Sequence, residues 1–243
     1  MKNKINRLIA ITVFVVMCLS FPEYMLGQGQ IKRKKQTRQE SIQISNPDGY
    51  INGHGYVDLG LPSGTKWATC NIGAEKSIEI GNYYSWGEYK IKEVYDYDKS
   101  ETIYKHIDCI AGSSDFDTAK RLWGDNWNMP TVEQWKELFS KTKVKYHTIN
   151  SIRGFIFIGR NNKTIFIPYG GEKEGKNIFL QNHFGRYWTS NADYRYDGTE
   201  YPFHPDNAYA SVCYFQTAYD KPSFFIDPEW RGHGFPIRPV CSK

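Results

Sequence analysis

Apolar residues follow three rhythms along this chain. The first is an unbroken run, Leu8–Phe21, with almost no polarity. Lys2, Lys4 and Arg7 precede it, and Pro22 and Glu23 close it. A basic head, a short apolar stretch and a polar break are the parts of a secretory signal. As a helix the run spans about 21 Å, short of the roughly 30 Å hydrocarbon core, so a permanent membrane span is not expected. Gly27-Gln28-Gly29 offers the small-x-small pattern for cleavage, which makes residues 1–29 a signal peptide. Met17 stands where a lipobox before Cys18 needs a small residue, so lipidation is not expected.

The second rhythm is short alternating runs broken by turn residues, which predicts strands. Tyr56, Val57, Leu59 and Leu61 lead into a Pro-Ser-Gly turn, and Lys66–Cys70 resumes the extended pattern. Asn82–Gly87 forms another short aromatic run. Phe155–Ile158 and Thr164–Pro168 flank Asn161-Asn162 as a hairpin. Further strands are predicted at Tyr187–Ser190, Ala208–Phe215, Ser223–Ile226 and Phe235–Val240, separated by long polar loops.

The third rhythm is helical and occurs twice. Asp115 or Asp117 can cap a segment in which Phe116, Ala119, Leu122 and Trp123 share a face, ended by Gly124. Thr131-Val132-Glu133-Gln134 is a capping box, followed by a stripe of Val132, Trp135, Leu138 and Phe139. Strands, two helices and more strands predict one α+β domain over residues 50–243.

Charge is uneven. The net +5 lies wholly within residues 1–48, and the rest of the 243-residue chain is neutral. A neutral domain has no global attraction for a polyphosphate, so nucleic acid is not an expected partner. Residues 30–49, with a block of cations at Lys32–Lys35, read as a flexible basic linker that buries too little apolar area to order itself. Beyond the signal, Cys70, Cys109, Cys213 and Cys241 allow two disulfides in an exported chain, in any of three pairings. A Cys70–Cys241 bridge would close the longest loop. No CxxC pair or neighbouring histidine suggests zinc.

Several segments together resemble a known family. His54-Gly55-Tyr56-Val57-Asp58-Leu59-Gly60-Leu61-Pro62-Ser63-Gly64-Thr65-Lys66-Trp67-Ala68 and Asn71-Ile72-Gly73-Ala74 look like the opening signature of the Fibrobacter succinogenes major paralogous domain. Tyr83-Tyr84-Ser85-Trp86-Gly87-Glu88, Trp127-Asn128-Met129-Pro130-Thr131, Tyr187-Trp188-Thr189-Ser190 and Ile237-Arg238-Pro239-Val240 follow in the family's order. The resemblance covers about residues 54–241 and concerns exported proteins of Bacteroidetes-type bacteria. It implies a C-type-lectin-like fold, with two helices flanking small antiparallel sheets and a loop-rich second half that presents the binding surface. Relatives of that fold include the formylglycine-generating sulfatase-modifying enzymes and the variable proteins of diversity-generating retroelements.

Chemistry is sparse by comparison. The cysteine pair of the formylglycine-generating relatives has no counterpart, since Cys213 and Cys241 have no neighbouring thiol. Neither a Gly-x-Ser-x-Gly elbow nor a His-Glu-x-x-His zinc motif occurs. Gly60–Lys66 imitates a phosphate loop but is one residue short between its glycines. For calcium, Asp206, Asn207, Asp227 and Glu229 are the nearest to a ligand set, without the motifs of sugar-binding C-type lectins. His204 and His233 have no identified partner. No catalytic residue, metal ligand or cofactor is therefore assigned.

Aromatic residues carry the remaining signal. Tyr187–Trp230 holds 13 Phe, Trp and Tyr residues in 44, against 16% for the whole chain. Trp188, Tyr194, Arg195, Tyr196, Tyr201, Tyr219 and Trp230 are the candidate ligand contacts, because a flat apolar face with a polar edge suits sugar rings and protein anchors. The expectation is an exported, non-catalytic module, periplasmic, surface-bound or secreted, that binds a glycan or an extracellular or envelope protein. A structural envelope or fimbria-like component and an enzyme of the sulfatase-modifying branch are the alternatives.

Overall fold

The computed structural model describes residues 42–194, 208–218 and 221–241. Asn52 and Gly53 both take positive φ (50° and 82°), the two-residue turn whose twist suits a hairpin, and so join β1 (Gly49–Ile51) to β2 (His54–Val57). β3 (Lys66–Ala68) pairs antiparallel with β2, and β12 (Val240–Cys241) returns from the far end of the domain to pair with β3. A second sheet runs β4 (Lys143–Ile149), β5 (Ile152–Ile158) and β6 (Thr164–Pro168). A third places β10 (Tyr209–Ala218) between β9 (Gly185–Ala192) and β11 (Lys221–Trp230). β7 (Glu172–Glu174) and β8 (Asn177–Phe179) form a small ribbon. Every ladder is antiparallel, and with two helices the described residues form an α+β fold.

Asp117, not Asp115, caps α1 (Thr118–Trp123). Its carboxylate accepts from the N–H groups of Ala119 and Lys120, and also from Gly112 and Met129, tying the helix start to the Met129 segment. Ala119 and Trp123 are buried as expected, whereas Leu122 is 41% exposed, because a six-residue helix turns only one narrow face inward. α2 (Val132–Lys141) begins with the expected capping box, Thr131 and Gln134 each accepting the other's backbone N–H. Trp135 and Leu138 bury the inner stripe of α2.

Two apolar clusters result. In one, Trp135 meets Trp67 edge-on at 4.8 Å and packs with Tyr187, Phe155 and Phe215. In the other, Trp86, Trp127, Trp188 and Phe235 gather over α1. The β5–β6 hairpin forms where expected. Asn82–Gly87 forms no strand, and of Phe235–Val240 only Val240 lies in one, at the start of β12. They meet in a single bridge, Tyr84–Phe235, and other loop partners take up neighbouring backbone groups, as where the Trp86 N–H reaches Arg231 O.

The linker boundary shifts. Residues 1–41, which hold the signal peptide and most of the basic segment, lie outside the described residues. Residues 42–49, expected within the linker, are anchored instead. The Ser45 N–H donates to Thr164, and Asp48 accepts from Lys163 and from the Asp58 N–H. Burial works against the Asp48 carboxylate, but these donors outweigh it and hold the pKa below its ordinary value. Specific partners, not apolar area, order this stretch. Among the described residues no helix is long and apolar enough to cross a membrane.

The four cysteines expected in disulfides are free thiols here. Cys241 is paired with Lys66 at the start of β3, whereas Cys70 lies two residues beyond the end of that strand. Cys213 sits in one apolar cluster and Cys241 in the other, and burial raises both thiol pKa values, that of Cys241 to about 11. In folded protein, iodoacetamide is expected to modify Cys109 quickly, and Cys213 and Cys241 only after denaturation. Peptide mapping by mass spectrometry checks this, and a native disulfide linking any two of the four would contradict it.

Candidate ligand-binding site

Arg231 organises a surface of rings and polar groups. Its guanidinium is fully buried, lies 4.3 Å over the Trp86 ring, and donates to the carbonyls of Thr102, Lys105, Ile107 and Tyr209. One arginine thereby fixes the loop at 102–107 against the start of β10. Its backbone N–H also reaches Ala208 O. Burial lowers its pKa, yet a group of such high intrinsic basicity stays charged at neutral pH.

Rings collect on either side of this clamp. Trp230, the last residue of β11, lies opposite Tyr209 in the ladder at 4.4 Å, and Tyr97 meets it edge-on at 4.9 Å. Tyr104, on the loop whose carbonyls Arg231 holds, is 77% exposed. On the other side, His106 stacks on Tyr194 at 5.5 Å. The Tyr194 hydroxyl donates to Asp108 at 3.0 Å. Burial first, and the Asp108 carboxylate second, raise the Tyr194 pKa, so it remains a donor. Asp108 Oδ1 also lies 3.7 Å from His106 Nε2. The face thus offers flat rings, a carboxylate and an imidazole side by side, a set able to stack on a ring and to bind its hydroxyls.

Of the expected contacts, Trp230 and Tyr194 lie on this face. Arg195, Tyr196, Tyr201 and Tyr219 fall outside the described residues, as do His204, Asp206 and Asn207. Trp188 is a correction. It is fully buried, meets Phe235 edge-on at 4.7 Å, and donates through Nε1 to Tyr84 O at 2.7 Å. β9 is covered on both faces, Tyr187 entering one apolar cluster and Trp188 the other, so alternation leaves no outward side there. Glu229, considered for calcium, instead accepts from Arg186 at 3.0 Å and lies 3.6 Å from His233.

Sequence reading missed Tyr97, Tyr104, His106 and Asp108. The tyrosines and acids between Tyr95 and Asp108 were a compositional hint, but nothing in the sequence tied that loop to Arg231. No family model, curated protein or solved structure matches this chain.

Proposed function

We propose that this chain is an exported, non-catalytic binding module with a C-type-lectin-like fold of the Fibrobacter succinogenes major paralogous type, which recognises a glycan on the face built around Arg231. The carrying observation is that one buried arginine is flanked by Tyr194 with His106 and Asp108 on one side and by Trp230 with Tyr209 and Tyr97 on the other, with Tyr104 exposed on the loop it holds. Sugar rings present apolar faces and hydroxyl edges, and this surface matches both. A fixed scaffold also lowers the ordering cost that weakens loop-borne sites.

A glycan array probed with the intact protein tests the reading. Tyr104→Ala is expected to weaken the retained glycan about tenfold, the equivalent of roughly 1.4 kcal/mol, with the melting temperature unchanged because the side chain is exposed. Asp108→Asn should weaken it similarly. Array signals indifferent to both substitutions would remove the site, and an empty array would remove glycan as the ligand. One observation favours the structural-component alternative. Ile178, Phe179 and Leu180 are consecutive and exposed at the end of the β7–β8 ribbon, as an assembly contact requires.

A further inference from the structure

Charge is segregated within the folded domain. Residues 138–171 hold six cations, Lys141, Lys143, Lys145, Arg153, Arg160 and Lys163, and no Asp or Glu, in a domain that is neutral as a whole. That span is the last turn of α2 and the second sheet, so β4, β5 and β6 form a positive pole. Among the described residues only Lys163 of the six lies in an ion pair, with Asp48. The other five are exposed.

β4, at the edge of its sheet, lines the charges up. Lys143, Lys145 and His147 alternate along it and so stand on one face, opposite Ile158, Ile156 and Gly154 of β5. Successive members of the row are about 7 Å apart at strand rise. Because Lys143 pairs with Ile158, the β5–β6 turn with Arg160 and Lys163 adjoins that end of the row. At the other end a cleft of about 560 Å³, lined by residues 42–44 and 147–150, begins at His147. The track thus runs from the turn, along β4, into a concavity.

We infer that this track binds a linear carboxylated polysaccharide, as a second surface that shares no residue with the face around Arg231. Guarding a sheet edge against association accounts for the two lysines of β4. It does not account for the absence of every carboxylate from β5, β6 and the turns between them. Lysine also suits the ligand. A compact ammonium on a flexible stem follows charge spread along a chain, whereas the arginine fork selects a fixed carboxylate or phosphate geometry. Single-stranded nucleic acid needs rings on which its bases stack, and the one benzenoid ring on this face, Phe166, is buried. A repeating chain engages the whole row at once, which a lone phosphate does not.

Full-length protein titrated with polygalacturonate at low ionic strength, read by biolayer interferometry, tests the track. Binding is expected, falling steeply as added salt screens the charges, with none to neutral dextran. Lys143→Gln combined with Lys145→Gln should weaken it at least tenfold and leave the melting temperature unchanged, since both side chains are exposed. Replacing Lys32, Arg33, Lys34 and Lys35 with glutamine should weaken it less. In the wild type, polygalacturonate should also shield Lys143 and Lys145 from acetic anhydride, read by peptide mapping. Absence of binding would overturn the inference, as would a double variant that binds like the wild type or a loss confined to the Lys32–Lys35 substitutions. Single-stranded DNA held more tightly than polygalacturonate would overturn the choice of ligand. Equal acetylation of both lysines with and without the polymer would also sink the site, and that measurement needs no variant.

Discussion

Arg238→Ala is expected to lower the unfolding free energy by about 4 kcal/mol, because the guanidinium is fully buried and ties residues 68–71 to β6. Its Nε donates to Asn71 Oδ1 at 2.6 Å, and its two terminal nitrogens donate to Ala68 O and Phe166 O, each at 3.0 Å. Truncation leaves all three acceptors buried without a donor, at about 1–3 kcal/mol each, and opens a void between the first and second sheets. Burial of the charge, which lowers the Arg238 pKa, offsets part of that loss, so the net stays below the sum. For a chain of this size about 4 kcal/mol corresponds to a fall of roughly 10 °C in the melting temperature. Arg238→Lys should recover only part of it, since one ammonium cannot reach three divergent acceptors. Arg238→Met separates two accounts of the residue. If it melts at or above the wild type in calorimetry, the guanidinium is a net cost, and the stabilising role assigned here is wrong.

Trp188→Ala should be nearly as severe, at about 3–5 kcal/mol, the range for removing a large buried aromatic ring. The side chain fills the second apolar cluster, and its Nε1 bond to Tyr84 O helps hold the only bridge between Asn82–Gly87 and Phe235–Val240. The effect should be confined to stability. Well below its lowered melting temperature, the variant should bind ligand as the wild type does, whereas Tyr104→Ala should show the reverse pattern. Thermal melts and binding measured on the same preparations check both halves. A Trp188→Ala protein of wild-type stability with lost binding would return this residue to the ligand surface.

The contrast between these two residues shows what could be read in the sequence and what could not. The capping box at Thr131, the Ala119–Trp123 face and the β5–β6 hairpin rest on local spacing, and local spacing is printed in the chain. The segments that suggested a family, such as Tyr83–Glu88 and Tyr187–Ser190, are buried throughout. They are distinctive because the core demands those side chains, which is why Trp188 stood out and was misread as a contact. The β1–β2 turn carried its signal in Asn52-Gly53, and that signal went unused. The ring surface could not be found this way. It depends on Arg231 reaching carbonyl groups more than 120 residues earlier, and carbonyls leave no trace in residue identity. Trp230 and Tyr194 were named because they belong to the aromatic-rich second half, and the residues of the loop before α1 that pack with them were not.

The pairing of β12 with β3 sets an order of events. Trp67 waits for Val240 and Lys66 for Cys241, so the first sheet stays open along one side until residue 241 has been made. Contacts so distant in sequence form slowly, and a nascent chain stalled anywhere before residue 240 exposes the unpaired side of β3. The first sheet is therefore finished late in assembly, and a chain cut before residue 240 would leave β3 without its second neighbour.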